Sequence, residues 1–281
     1  MKKRLRGYIF FIFCLIFAFP IMGRADENPD LNSGKVTITE AGTYKFENYE
    51  GTNQVIVDAP GKEVDITICN LKIDVSNCAF EIKAGTVNLT LEGTNVLKSG
   101  NLKAGLQVPE GSTLTIKGDG VLDVTGGSQG AGIGGGRSST GGSIIIQGGT
   151  VNATGGNSGA GIGGGSNGAV GTIKIQGGNV TAKGGNFGAG IGGSGKTGGD
   201  ITITEGTVNA TGGSGGAGIG GGSSSAGGTI TITGGTVTAT GGNNGAGIGG
   251  GTSGAGGTII IQGGNVKAIG KTSGAGIGGG S

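Results

Sequence analysis

Polar side chains recur at alternate positions along residues 143–267. They carry hydroxyls, amides and amines, and alternation along an extended chain brings such groups to one face of a strand. A flat array of these groups could hydrogen-bond a sugar polymer, and an ordinary solvated sheet face is the alternative interpretation. The candidate carbohydrate-binding residues are Gln147, Asn152, Lys174, Gln176, Thr181, Lys183, Thr202, Asn209, Thr231, Thr238, Gln262 and Lys267. Because Phe187 is the only aromatic residue in this region, we expect any affinity for sugar to be weak per repeat and to depend on many repeats.

The composition excludes several kinds of catalysis. The chain has no His, which removes Ser-His-Asp and Cys-His catalytic sets and His-ligated metals. Asp200 and Glu205 are the only acids after residue 126, and the acids before it form no evident close pair on one strand face. We therefore expect no catalytic residues, no enzyme activity and no bound cofactor. The residues alone do not identify a metal site.

Two cysteines, Cys69 and Cys78, lie in the part of the chain that follows Ala25. If the protein is exported, an even pair at this spacing predicts a disulfide that closes a small loop. The alternative is a pair of buried thiols, and the sequence leaves both open.

A repeat explains how the polar residues are positioned. The segment Gly-Ala-Gly-Ile-Gly-Gly recurs from residue 131 onward, and its isoleucines follow one another at a nearly constant interval. They are Ile133, Ile162, Ile191, Ile219, Ile248 and Ile277. Two further alternating segments follow it in each unit, separated by glycine pairs. No unit contains a stretch of helical period, so no unit predicts a helix.

Three short strands per unit, joined by glycine corners, predict one turn of a coil. Stacked turns place each strand beside its own copy, in parallel and about 4.8 Å away. The sequence therefore predicts an all-β fold, a single-stranded right-handed parallel β-helix of about eight three-strand turns, each about 29 residues long in the carboxy-terminal part. An antiparallel meander would give no reason for like residues at this interval.

Inward positions of the predicted turns stack like on like. One column begins with Ile144 and Ile173, and another begins with Val151 and Val180. The glycines that flank each Ile of the first strand are expected to face outward and leave an outer face with almost no side chains. That face would either relieve crowding over the turns or let a polymer chain, or a sheet of a second copy of the protein, approach the backbone closely.

The two ends of the chain differ from the repeats. Residues 1–25 combine four basic residues at the start, an apolar run and small residues before Asp26, which predicts a signal peptide and a secreted or cell-surface protein. Residues 26–54 are predicted to form a cap with the first strands, residues 55–281 the β-helix, and residues 131–281 its glycine-rich repeats. Because the last repeat stops at Ser281, we expect either a longer protein or an open end that associates with another copy.

Charge is uneven along the chain. After residue 25 there are 14 basic and 17 acidic residues, and residues 127–281 carry 6 basic and 2 acidic ones. Charges this sparse do not form a nucleic-acid-binding patch, so we expect no nucleic-acid partner.

The opening turns resemble a known family. The segments Lys35–Tyr44, Gln54–Ala59, Val64–Ile68 and Thr113–Ile116 are similar to a bacterial, largely clostridial family of secreted carbohydrate-binding β-helix domains, over residues 33–126. The resemblance implies a right-handed parallel β-helix that binds plant polysaccharides, with calcium bound in some members.

These observations favour a non-catalytic polysaccharide-binding or adhesive β-helix, with polysaccharide as its partner. A structural surface rod that self-assembles is the main alternative. An ice-binding protein, suggested by the threonine array around Thr231 and Thr238, and a polysaccharide-lyase-like enzyme are further alternatives.

Overall fold

Short strands and glycine-containing corners follow one another along residues 26–281, the part of the chain that the computed structural model describes. The predicted signal peptide at residues 1–25 lies outside the described residues. Within residues 26–281, no helix has the length and apolar character needed to cross a membrane.

The first turns contain the longest strands. They comprise β1 (Asp26–Glu27), a 3₁₀ helix (Leu31–Ser33), β2 (Val36–Ile38), β3 (Gly42–Glu47), β4 (Glu50–Gly51), β5 (Val55–Cys69), β6 (Lys72–Asp74), β7 (Phe80–Glu92), β8 (Thr94–Lys98), β9 (Leu106–Gln107), β10 (Thr113–Gly118) and β11 (Val121–Thr125).

The glycine-rich repeats form the remaining strands. They are β12 (Ile133–Gly134), β13 (Ser143–Ile146), β14 (Thr150–Thr154), β15 (Ile162–Gly163), β16 (Thr172–Lys183), β17 (Ile191–Gly192), β18 (Asp200–Thr211), β19 (Ile219–Gly220), β20 (Thr229–Ile232), β21 (Thr236–Thr240), β22 (Ile248–Gly249), β23 (Thr258–Ile261), β24 (Asn265–Ile269) and β25 (Ile277–Gly278).

Each strand pairs in parallel with its own copy in the next turn, which confirms the predicted parallel β-helix. Val151 lies opposite Val180, and Ile133 lies opposite Ile162. From Val55 to Ile277 the first strand meets its copy eight times, so this part of the chain makes eight turns. The turns lengthen along the chain. Val55 pairs with Phe80, and this interval in sequence is shorter than the one from Ile133 to its partner Ile162.

The first strand of each glycine-rich turn is shorter than the alternation predicts. It comprises only an Ile and a Gly, as in β12 and β15. Gly134 ends β12 because its φ of 128° turns the backbone out of the extended region. The second and third strands have the predicted length, or run together through the corner, as in β16.

The interior is a continuous apolar column. Ile144, Ile173, Val151 and Val180 are each at most 1% exposed, as predicted. In the first turns, Phe46 and the other larger side chains fill the same space, and Leu31 from the 3₁₀ helix packs over the first turn. No turn could bury its own apolar face alone, so stability comes from contacts between turns.

The expected glycine face does not exist, and the prediction of an exposed face is wrong. Gly132, Gly134, Gly161 and Gly163 are buried, because the corner loop after each short strand folds back over the preceding turn. A Cβ atom at Gly163 would lie 2.2 Å from the carbonyl oxygen of Gly192. These glycines let neighbouring turns approach each other, so they offer no surface to a second copy.

Candidate functional site

The twelve candidate polar residues lie on two adjoining outer faces. We call the outer face of β10, β13, β20, β23 and the first halves of β16 and β18 face A. We call the outer face of β11, β14, β21, β24 and the second halves of β16 and β18 face B. Gln147, Lys174, Gln176, Thr202, Thr231 and Gln262 lie on or at the end of face A, and Asn152, Thr181, Lys183, Asn209, Thr238 and Lys267 lie on face B. All twelve are exposed or half-buried.

Because the strands pair in parallel and in register, the polar residues of face B form a straight column. Asn152, Thr181, Asn209, Thr238 and Lys267 lie directly opposite one another in successive turns. Adjacent members are therefore separated by one strand spacing, about 4.8 Å. The column presents amide, hydroxyl and amine groups in a line parallel to the helix axis.

On face A the polar column is bounded by isoleucines that the sequence reasoning missed. Ile145, Lys174, Thr202, Thr231 and Ile260 occupy equivalent positions. Ile145 is half-buried and Ile260 is 41% exposed. The signal was present in the segment Ser143–Ile146, since strict alternation places its middle Ile outside.

Amide side chains are ordered along both faces. The Nδ2 of Asn152 donates to Oδ1 of Asp123 at 2.7 Å, and the Nε2 of Gln147 donates to Oε1 of Gln176 at 3.3 Å. At the neighbouring corner, the Nδ2 of Asn186 donates to Oδ1 of Asn157 at 2.7 Å. Such bonds between turns hold the amides in place and leave the remaining amide donor and acceptor capacity toward solvent.

Six stretches of the chain match a protein-family model described as "Beta helix repeat". They are residues 114–137, 144–166, 173–195, 201–223, 230–252 and 259–281. The chain is a β-helix repeat protein. Each stretch starts at the first inward residue of a second strand and covers most of one turn. No curated protein and no solved structure matches the chain.

The resemblance in the opening turns is separate from the family match. The matched stretches of this β-helix repeat protein begin at residue 114, so nearly all of residues 33–126 lie outside them. The match therefore supports the fold, while the similarity to carbohydrate-binding domains stays a prediction from residues 33–126.

A slot lies across the corners of the first turns of the β-helix repeat protein. Its volume is about 500 Å³, and its lining includes Lys62, Glu63, Lys83 and Glu110. The chain bulges outward between Val57 and Glu63. Their partners in the next turn, Ile82 and Thr86, are joined by a shorter corner. The shorter corner forms the floor of the slot. Sequence reasoning missed the slot because corner lengths follow no repeat in this region.

Ion pairs between turns are confined to the first part of the β-helix repeat protein. Examples are Lys103 with Glu81 at 3.0 Å, Lys72 with Glu50 at 3.4 Å and Lys98 with Asp74 at 3.6 Å. Residues 127–281 contain no ion pair, so the amines of Lys174, Lys183 and Lys267 remain available on the two faces. Within residues 26–281, no group of three or more His, Cys, Asp or Glu side chains could hold a metal ion.

The predicted disulfide is not formed, and of the alternative pair of buried thiols only Cys78 is buried. Cys69 and Cys78 are free. Cys69 follows the last inward residue of its strand and is half-buried on the outer side, whereas Cys78 is fully buried. The Sγ of Cys78 lies 3.3 Å from the carbonyl oxygens of Phe80 and Ala104.

Thiol titration should separate the two cysteines. Burial raises the pKa of the Cys78 thiol to about 12, so this thiol stays neutral and covered in the folded protein. We expect an aromatic disulfide reagent at pH 8 to label Cys69 quickly and Cys78 only after denaturant is added. Because the folded-state pKa is raised, Cys78 should contribute stability below its ordinary pKa of 9.0, and this contribution should be lost progressively as the pH rises toward 12. Fast labelling of both thiols in the native protein would contradict this placement.

Proposed function

We propose that this β-helix repeat protein is a non-catalytic, secreted or cell-surface protein that binds an extended polysaccharide along faces A and B. The observation that supports this most is the straight column of polar side chains on face B, from Asn152 to Lys267. The signal-like residues 1–25 support export. The resemblance of residues 33–126 to carbohydrate-binding domains supports a plant polysaccharide as ligand, and calcium is an expectation from that resemblance alone.

A polysaccharide chain lying parallel to the axis of the β-helix would meet a similar polar group at each strand spacing of about 4.8 Å. This interval is close to the length of one sugar residue, so successive sugars could bond to successive turns. Each hydrogen bond contributes only about 0.5–1.5 kcal/mol net. Binding therefore requires several turns acting together, which a solenoid supplies by repetition.

Face A adds apolar contact to polar contact. Ile145 and Ile260 frame Lys174, Thr202 and Thr231 in one column. A sugar ring has apolar C–H surfaces as well as hydroxyls, so exposed isoleucines offer a place for the ring where aromatic side chains are missing. This combination favours a neutral or weakly anionic glycan, because Lys174, the single lysine among these five residues, forms no ion pair within residues 26–281.

Removal of hydroxyls from face A tests the proposal. We expect the double variant Thr202→Val, Thr231→Val to bind the polysaccharide about thirtyfold more weakly, since two hydrogen bonds of roughly 1 kcal/mol each are removed without loss of shape. Binding is measured by pull-down against insoluble polysaccharides and by affinity electrophoresis against soluble ones.

The matched control is Thr67→Val, Thr90→Val, two half-buried outward threonines that lie opposite each other in the opening turns. This variant should bind as the parent protein does. If no polysaccharide is retained by the parent protein, or if both variants lose binding equally, the proposed role of face A is wrong.

A further inference from the structure

Arg137 interrupts the repeat at one corner. Its backbone N–H donates to the carbonyl oxygen of Leu102 in the preceding turn at 2.9 Å. The equivalent N–H groups of Ser166, Ser223 and Thr252 make the same bond to the turn before them. The backbone hydrogen bond at this position is therefore the same as in these repeats. Only the side chain differs, because the other three residues are Ser or Thr. Arg137 is also the only arginine after residue 25.

A cavity of about 260 Å³ lies beside Arg137, where the irregular first turns meet the regular repeats. Its lining includes Leu102, Lys103, Gln107 and Ser138. Leu102 is 44% exposed, and most of the exposed lining surface is apolar, with polar groups added by Lys103, Gln107 and Ser138. This volume and this mixed lining suit one small hydroxylated molecule or one sugar unit.

Gln107 brings an unused acceptor to this cavity. Its Nε2 donates to Oε1 of Glu81 at 3.1 Å, and the Nζ of Lys103 donates to the same oxygen at 3.0 Å. The carboxylate of Glu81 requires the amide nitrogen on its side, so the amide oxygen of Gln107 must point away from it. That oxygen is buried and has no hydrogen-bond partner. A buried acceptor of this kind requires a donor, and a ligand hydroxyl would supply one.

Gly136 lies directly against the amide oxygen in the wall of the cavity. A Cβ atom at this position would lie 2.9 Å from Oε1 of Gln107. A larger residue would therefore collide with the acceptor and displace it.

The charges at the cavity indicate which group the ligand carries besides its hydroxyl. Glu81 is 12% exposed and already pairs with Lys103, so these two charges neutralise each other. Arg137 forms no ion pair within residues 26–281 and is exposed. A guanidinium in this position favours a carboxylate, which it can bind through two parallel hydrogen bonds.

We propose that this cavity binds a hydroxylated carboxylate, such as the acidic sugar at the end or side of a glycan, with its carboxylate on Arg137 and a hydroxyl on Oε1 of Gln107. The site is distinct from faces A and B, and its function does not rest on theirs. It would give the protein one specific contact at the junction between the irregular and regular turns, in addition to repeated weak contacts along the rod.

Titration calorimetry with glucuronate, glucose and acetate tests the proposal on the purified chain. We expect glucuronate to bind, glucose to bind at least tenfold more weakly because it lacks the carboxylate, and acetate to bind at least tenfold more weakly because it lacks the hydroxyls. The variant Arg137→Ser carries the residue that the next repeat has at this position, so it should fold normally. We expect it to lose at least tenfold in affinity for glucuronate.

The variant Lys196→Gln is the matched control. It removes one positive charge from an exposed lysine that lies outside faces A and B and outside the cavity. It should bind glucuronate as the parent protein does. Equal weakening in both variants, unchanged binding in Arg137→Ser, or acetate binding as tightly as glucuronate would each overturn the proposal. Binding of insoluble neutral polysaccharide should be unaffected by Arg137→Ser, which separates this site from the two faces.

Discussion

Replacement of Ile146 by Asp is expected to unfold the glycine-rich turns. Ile146 is fully buried and lies between Ile116 and Ile175 in the column of second-strand core residues. The substitution removes a buried aliphatic side chain and places an unpaired carboxylate among aliphatic neighbours. We expect the free energy of unfolding to fall by about 4 kcal/mol or more, seen as a lower urea midpoint by circular dichroism and a lower soluble yield.

The neighbouring residue supplies the control. Ile145 has the same side chain on the same strand, but it faces outward and is half-buried. We expect Ile145→Asp to change the free energy of unfolding by less than about 1 kcal/mol. Similar losses for the two variants would mean that the strand does not have one inner and one outer side, and the proposed face A would fail with it.

Replacement of Gly163 by Ala is expected to have the second largest effect on stability. The added Cβ would lie 2.2 Å from the carbonyl oxygen of Gly192, and the backbone φ at Gly163 is 130°. The collision is with backbone of the next turn, which cannot move aside without lengthening the hydrogen bonds between turns. We expect a loss of about 3 kcal/mol or more in the free energy of unfolding, measured by urea denaturation.

Gly111→Ala separates backbone strain from collision. Gly111 has a φ of 80°, but a Cβ there would meet no atom within 4 Å. This variant should lose only about 1 kcal/mol, the cost of a left-handed conformation for a residue with a side chain. If Gly163→Ala were equally mild, the glycines would be serving backbone conformation alone, and close approach between turns would not be their role.

Close stacking of the turns limits which residues can occupy the interior and the corners. The turns must be thin enough to stack at one strand spacing, so the corners are built from glycine and the interior from Ile, Val and Ala. The outer residues of the second and third strands are free of both constraints. Variation between repeats in the outward side chains is therefore concentrated on faces A and B and on the corner that carries Arg137.

Several features of the fold were predictable from local pattern. Alternation in segments such as Thr172–Lys183 assigns each residue to the inner or outer side, because successive strand residues point in opposite directions. The nearly constant interval between equivalent isoleucines, such as Ile133 and Ile162, requires that like residues meet in neighbouring turns. The parallel pairing of Val151 with Val180 follows directly from these two periods.

Other features were missed or predicted wrongly, each for a structural reason. The glycines around Ile133 alternate with inward residues, yet they are buried, because the following loop folds back over the preceding turn. Cys69 and Cys78 are close in sequence, but both thiols are free, and only Cys78 is buried. The outward Ile145 was overlooked within an apolar run.

The sequence by itself determined the parallel β-helix, the inner columns and the two groups of outward polar residues, since strand alternation and repeat length are both local properties. Only the tertiary structure decided that the glycine columns are covered, that the thiols are free and that Gln107, Lys103 and Arg137 surround one cavity. Those outcomes depend on how corner loops from different turns pack against each other, and the repeat length alone does not show which side chains these loops bring together.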